Sequence, residues 1–274
     1  MILFPNAKIN LGLNIIRKRG DGYHDLETVF YPIAVLDALE VIQKSETGKD
    51  VQLSLSGIAV AGATADNLCI KAYQLLKKDF PHLPPVKIHL HKTIPAGGGL
   101  GGGSADGAFM LRLLSQRFDL KLTAQHLHHY ALQLGSDGPF FVINKPCFAT
   151  GRGEVLEPVS LDLSGYKLMI VNPGIHVSTA EAFLLLKPSH PSKSIKEIIR
   201  QPIETWSELL KNDFEEPVFR KFPEIKTIKA RMYESGAVYA SMTGSGSTVY
   251  GIFRKESHIS IDTCQDYFVK ELAG

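Results

Sequence analysis

Positions 9–15 alternate Ile9, Leu11, Leu13 and Ile15 with Asn10, Gly12 and Asn14. That is strand period, with one apolar and one polar face. Lys8 joins Asn10 and Asn14 on the polar face, a face that is either simply solvated or set aside for a ligand. Further strands are predicted near 37–43 and 51–55, and Val86, Ile88 and Leu90 alternate again with Lys87, His89 and His91. Asp66 is placed as the N-cap of a helix carrying Leu68, Ala72, Leu75 and Leu76. Helices follow over about 104–116 and 126–134, then a short apolar strand at 140–143. After a candidate boundary at 152–159 the pattern restarts with a strand at 167–171 and helices near 179–186, 195–199 and 224–235. Strands at 238–242 and 248–253 flank a glycine turn, and a last helix ends the chain. The expected architecture is α+β in two halves, domains 1–152 and 153–274.

Bulk composition narrows the function only by exclusion. The chain has 274 residues, 44% hydrophobic and 21% charged, which is enough to bury a substantial core. A net charge of +2 gives no electrostatic reason to expect nucleic acid. Cys69, Cys147 and Cys264 are scattered and odd in number, so no disulfide framework is implied. The N-terminus lacks the features of a signal peptide and no stretch approaches a membrane span. The expectation is a cytoplasmic protein with no membrane and no nucleic-acid partner.

Four blocks carry candidate chemistry. The strongest is PAGGGLGGGSADGA at 95–108, in which six of the seven residues at 97–103 are glycine. Glycine permits close backbone approach to a ligand, and a following helix N-terminus favours anions. Ser104 is expected to cap that helix or to offer its hydroxyl to a phosphate or Mg²⁺. Gly97, Gly99 and Gly102 fit G-x-G-x-x-G, but the preceding strand reads as half exposed, unlike the first strand of a dinucleotide fold. The Gly48-Lys49 pair is followed by Asp50, so no Walker-A loop is present.

The second block is the N-terminal strand with the turn after it, where Tyr23 and His24 follow Asp21-Gly22. Those two rings either grip a planar ligand or are ordinary surface. In the third, LGSDGPFF, Asp137 is either a turn former or a fixed carboxylate that takes a hydroxyl proton. In the fourth, MTGSGSTVYG, residues 243–247 either brace the first glycine loop or merely close a hairpin. His89, His91, His126, His128 and His129 show no metal-ligand spacing and read as surface residues.

In this order the blocks resemble the GHMP kinases, the superfamily of galactokinase, homoserine kinase and mevalonate kinase. PNAKINLGLNIIRKRGDGYHDLETVF together with the glycine loop is most similar to the branch whose acceptor is a cytidine-diphosphate-linked methylerythritol. The resemblance implies a ribosomal-protein-S5-like N-terminal domain and a ferredoxin-like C-terminal domain, with ATP and acceptor meeting between them. It implies ATP-dependent phosphorylation of the acceptor's 2-hydroxyl in the non-mevalonate route to isoprenoid precursors, with Mg²⁺. Residue by residue, the catalytic pair falls on Lys8 and Asp137, and the cytosine-gripping positions fall on Tyr23, His24 and Phe183. Asn10 and Thr179 fall near the polyol. The ATP loop comprises Pro95, Ala96, Gly97, Gly98, Gly99, Leu100, Gly101, Gly102, Gly103, Ser104 and Ala105, with Asn67 and Lys92 near the nucleotide.

The third block departs from the family's Gly-Ala-Asp-Val-Pro-Phe in having Gly138 after the acid, which is expected to loosen its backbone. Ser104 and Asp106 are both candidates for Mg²⁺, and a monomer and a homodimer are equally compatible with the sequence. Two other readings remain open: a GHMP kinase of the homoserine or mevalonate type, or a nucleotide-binding module without catalysis.

Overall fold

The computed structural model describes residues 1–44, 50–60, 64–186, 188 and 191–273, so Gly48 and Lys49 lie outside the described residues. The first half of the chain forms β1 (Ile2–Leu3), β2 (Asn6–Lys18), β3 (His24–Leu36), β4 (Ala38–Gln43), β5 (Val51–Gly57), α1 (Leu68–Asp79), β6 (Val86–Lys92), α2 (Gly102–Arg117), α3 (Ala124–Leu134) and α4 (Gly138–Ile143). It continues as β7 (Cys147–Thr150), β8 (Val155–Pro158), β9 (Tyr166–Asn172), α5 (Thr179–Leu184), α6 (Ile195–Ile198), α7 (Trp206–Leu209), α8 (Glu215–Lys221), α9 (Pro223–Glu234), β10 (Tyr239–Met242), β11 (Val249–Arg254) and β12 (Phe268–Ala273). Two compact units result: Met1–Ala7, Ala34–Ala96 and Gly101–Asn144 in the first, and Lys8–Ile33, Gly97–Leu100 and Lys145–Gly274 in the second. Among the described residues, no helix is long and apolar enough to cross a membrane.

The first unit holds a sheet of order β1-β4-β6-β5. β5 and β6 run parallel, which needs a crossover, and α1 supplies it. β6 buries Val86, Ile88 and Leu90 and exposes His89 and His91, whose rings both lie 2.9 Å from Ser56 Oγ. The half-exposed strand and the surface histidines are therefore as the alternation predicts. α2 is buried along most of its length and packs against α1, α3 and α4.

The second unit holds two four-stranded sheets, β2-β3-β7-β8 and β10-β11-β9-β12. Leu13 and Ile15 of β2 share a core with Met169, Val171 and Val249, and with Val218, Ile225, Ile228 and Met232 of α8 and α9. β2 is also bonded to the segment before α8: Leu13 N–H donates to Lys211 O at 2.8 Å, and Asp213 N–H donates to Leu13 O at 2.9 Å.

Of the elements expected from sequence four differ, and β1, β3, β7, β8, α7 and α8 are not among those expected. Asn67, not Asp66, caps α1, its Oδ1 accepting from Cys69 N–H at 2.9 Å. α2 starts at Gly102 on a Gly101 cap, so Ser104 lies inside the helix and is not its cap. Residues 140–143 are helical: Pro139 in the first turn suits a helix start, and a four-residue apolar run carries no period to argue otherwise. The last element is a strand, because β12 finds a partner in β9 over its whole length. Pairing of that kind overrides the helix propensity of Lys270, Glu271, Leu272 and Ala273.

Candidate active site

Residues 93–101 connect β6 to α2, and Gly97–Leu100 belong to the second unit. Gly99 has φ +80°, and a Cβ on it would stand 2.1 Å from the carbonyl oxygen of Thr243. No side chain fits that approach, whatever the backbone does. Thr243 Oγ1 lies 3.1 Å from Gly99 O, Thr248 N–H donates to Gly98 O at 3.2 Å, and Lys8 N–H donates to Leu100 O at 3.0 Å. Residues 243–247 therefore brace the glycine loop as well as joining β10 to β11. In the first unit no side chain caps α2, and Ala105 N–H is bonded to Gly101 O at 2.9 Å. The amides ahead of Ala105 lack intrahelical acceptors by helix geometry, which leaves them for a ligand or water. Pro95 is buried and Ala96 is exposed.

Lys8 and Asn10 are 3% and 2% exposed, so the polar face of β2 is not a solvated one. Lys8 Nζ donates to Asn10 Oδ1 at 2.6 Å and stands 5.0 Å from the Phe30 ring centroid. Asn10 is held from several sides: its N–H donates to Thr243 Oγ1 at 3.0 Å and its Nδ2 donates to Thr28 Oγ1 at 3.0 Å. Its carbonyl accepts from Tyr250 OH at 2.7 Å. A buried ammonium is costly without partners. Here the partners are continuous through Asn10 and Thr243 to Gly99, which ties the lysine and the glycine loop into one network within the second unit.

Asp137 belongs to the first unit, at the position before α4, and its carboxylate does not cap that helix. A Cβ on Gly138 would lie 2.4 Å from Ala131 O, so α4 meets α3 backbone to backbone at this point. Gly138 N–H is bonded to Gly135 O at 3.1 Å. The glycine is thus a packing requirement, and the backbone after Asp137 is tight where looseness is the sequence expectation.

Lys92 in the first unit is 4% exposed. It contacts Asp37 Oδ2 and lies 2.6 Å from Asp106 Oδ2. Asp37 Oδ1 accepts from Thr93 and Ile94 N–H at 2.6 and 2.9 Å. Burial works to lower the Lys92 pKa, but the two carboxylates together push it up. Burial raises Asp106 to about 7, aided by the charge of Asp37 and opposed by Lys92. The cluster pins the start of α2, since a Cβ on Gly102 would lie 3.4 Å from Lys92 Nζ.

In the second unit His24 stacks on Phe183, with centroids 4.8 Å apart and planes 19° from parallel. Phe183 meets Phe214 edge-on at 4.9 Å. Burial, with the nearby charge of Lys18, holds the His24 pKa down. Tyr23 is 55% exposed. Thr179 is exposed, and its hydroxyl lies 2.9 Å from Ser245 Oγ. His24 and Phe183 are 159 positions apart, yet the fold brings together these two rings expected from the resemblance. Sequence reading missed the Asp37–Lys92–Asp106 cluster and the bracing role of Asn172 and Thr248, which would lie 2.5 and 2.7 Å from a Cβ on Gly98. No local motif signals such contacts.

A glycine loop braced by a second glycine turn, with a buried lysine bonded into the same network, defines a phosphate-handling α+β enzyme without a Walker-A lysine. Family models for the GHMP kinase N-terminal and C-terminal domains match residues 67–145 and 194–261. The chain belongs to the GHMP kinases, and it is a kinase. It is 54% identical over 256 residues to the 4-diphosphocytidyl-2-C-methyl-D-erythritol kinase of Bacteroides thetaiotaomicron, covering 93% of each chain. It is 52% identical over 260 residues to the enzyme of that name from Bacteroides fragilis, covering 95% of this chain and 94% of the relative. A crystal structure of 4-(cytidine 5'-diphospho)-2C-methyl-D-erythritol kinase superposes with TM-score 0.81 and 29% identity over 100% of both chains.

Proposed function

We propose that the protein transfers the γ-phosphoryl group of ATP to the 2-hydroxyl of 4-diphosphocytidyl-2-C-methyl-D-erythritol, a step in making isoprenoid precursors without mevalonate. The observation that carries this reading is the near-parallel stack of His24 on Phe183 in the unit that also holds Lys8. Homoserine and mevalonate carry no nucleobase for such a stack to hold, whereas a cytidyl acceptor does. High identity to relatives of that name over nearly the whole chain supports the same acceptor.

In the proposed reaction the bond from the γ-phosphorus to the ADP oxygen breaks and a bond forms to the acceptor hydroxyl oxygen. The hydroxyl proton passes to Asp137, and Lys8 steadies the charge that develops on the oxygen. Phosphoryl transfer has a loose transition state, so positioning and charge carry most of the catalysis. Within the loop from Pro95 to Ala105 the free backbone amides hold the phosphates, with Asn67 on the nucleotide side and Lys92 acting there through the start of α2, which it holds by way of Asp106. Asn10 and Thr179 contact the polyol, and Tyr23, His24 and Phe183 hold cytosine. His24 and Phe183 already touch each other, so the base stacks on an open face of the pair or displaces one ring. The family models, at 67–145 and 194–261, lie on either side of residue 152, in keeping with a division into 1–152 and 153–274, whereas the compact units group Lys8–Ile33 and residues from Lys145 onward together.

Mg²⁺ is the expected companion of ATP, and it binds chiefly through phosphates and water with few protein ligands. Among the described residues no group of three or more His, Cys, Asp or Glu could hold a metal by itself, which fits that mode. Ser104 and Asp106 stand at i and i+2 of α2 and do not share a face. Asp106 is taken up by Lys92, so Ser104 is the residue proposed to reach the metal.

Lys8→Ala and Asp137→Ala test the catalytic pair. Each should lower kcat by two or more orders of magnitude while the thermal melt and ATP binding persist, as expected when a transition-state contact is removed. A variant that turns over at near the parent rate removes its residue from the mechanism.

A further inference from the structure

Arg152 stands between Gly151 and Gly153 in the turn joining β7 to β8, outside every sequence block considered above. Its guanidinium carbon lies 4.7 Å from the centroid of the exposed Tyr23 ring. Backbone bonds on both sides set this contact. Leu26 N–H donates to Gly151 O at 2.7 Å, and Arg152 N–H donates to Glu154 Oε2 at 2.6 Å. Across from them, Tyr23 N–H donates to Asp21 Oδ1 at 3.1 Å, and Asp21 is clamped by Arg19 at 3.0 Å. The cation is thus delivered to Tyr23 by two braced turns of the same unit.

Two carboxylates act on that guanidinium by charge: Glu154, in a loose ion pair with it, and Asp21. The carboxylate of Glu154 stands 3.8 Å from Arg152 Nε, beyond hydrogen-bond reach, because it is turned to the Arg152 amide instead. Arg17 and Arg19, by contrast, are bonded to Asp25 at 2.5 and 3.0 Å. The Arg152 side chain is 31% exposed, with its guanidinium carbon over the Tyr23 ring. A planar fork that stacks on an aromatic ring and still presents N–H groups is suited to a phosphate group near that ring.

We infer that Arg152 is a specificity-determining residue that binds the diphosphate of the cytidyl acceptor. This rests on the reading of Tyr23, His24 and Phe183 as the base-binding element. A nucleoside diphosphate joins its anionic linker to the base through a single ribose, which puts the phosphates within one arginine side chain of the clamp. Lysine does not replace it, since an ammonium cannot stack and bind two oxygens at once.

Calorimetric titration of the full chain with cytidine, CMP and CDP separates this role from the alternatives. The parent protein should bind CDP more tightly than cytidine. Arg152→Gln should lose roughly tenfold or more on CDP, the scale of a charge-assisted hydrogen bond to phosphate. On cytidine it should lose less than about threefold, with an unchanged melting temperature, and Arg152→Lys should recover only part of the CDP affinity. An equal loss on all three ligands would show Arg152 acting only through Tyr23 and overturn the inference, as would unchanged CDP binding. If the parent binds none of the three ligands, the base-clamp reading fails first and the inference falls with it.

Discussion

Gly99 and Gly103 belong to one glycine run, yet the folded protein requires only one of them. At Gly103, inside α2, a Cβ would meet no heavy atom within 4 Å. Replacing a helical glycine with alanine gains about 0.5–1 kcal/mol. In a chain of this size that raises the melting temperature by about 1–2 °C. If the glycine is there to let a phosphate reach the first amides of α2, the new methyl group holds the nucleotide off by about 1 Å, and misplacement of that size costs about a hundredfold. Gly99→Ala is the opposite case: φ is +80° and the methyl would stand 2.1 Å from the Thr243 carbonyl. The left-handed backbone alone costs about 1–2 kcal/mol, and the overlap adds to it. The expected result is a more stable Gly103→Ala protein with kcat/KM for ATP lowered by about a hundredfold, beside a less stable Gly99→Ala protein. Thermal melts without nucleotide and steady-state kinetics against ATP measure both. Normal ATP kinetics in Gly103→Ala would refute the reasoning that the run serves the nucleotide.

Two further outcomes follow from the geometry. Phe183→Ala removes one ring of the His24 stack and should raise KM for the acceptor by about 5–150-fold with kcat nearly kept, the range of a base–aromatic contact of about 1–3 kcal/mol. A fall in kcat with unchanged KM would take Phe183 out of ground-state binding. Asp106 is raised from 3.8 to about 7, so between those values the folded chain keeps a proton that the unfolded chain has released. Its contribution to stability is complete below about pH 4 and is lost as the pH rises to about 7. Asp106→Asn should flatten that part of the stability profile, read by denaturant melts at pH 4.5 and 7.5, and an unchanged slope would assign the dependence to other groups.

The site was legible where chemistry is local. The glycine run, its place between a strand and a helix, and the alternation that sets Lys8 beside Asn10 are all short-range features, and the fold keeps each of them. The burial of that polar face was not legible, because it depends on Thr243 and Tyr250 arriving from far along the chain. Lys92 finds Asp37 and Asp106 in the same way, from 55 and 14 residues off. The errors in secondary structure share that cause. An apolar run at 140–143 and a Lys-Glu-Leu-Ala ending are each compatible with two conformations, and packing decides between them. Gly138 shows the same limit at one residue: by type it suggests a loose backbone, and only the carbonyl of Ala131 reveals it as a close contact.

The most direct test of the central claim is ATP consumption by the purified protein with Mg²⁺, offering 4-diphosphocytidyl-2-C-methyl-D-erythritol, homoserine, mevalonate and galactose in parallel. Turnover should be confined to the cytidyl acceptor, with the new phosphate on its 2-hydroxyl by phosphorus NMR. Turnover on one of the other alcohols, with none on the cytidyl acceptor, would contradict the assignment while leaving the kinase fold and its glycine loop in place.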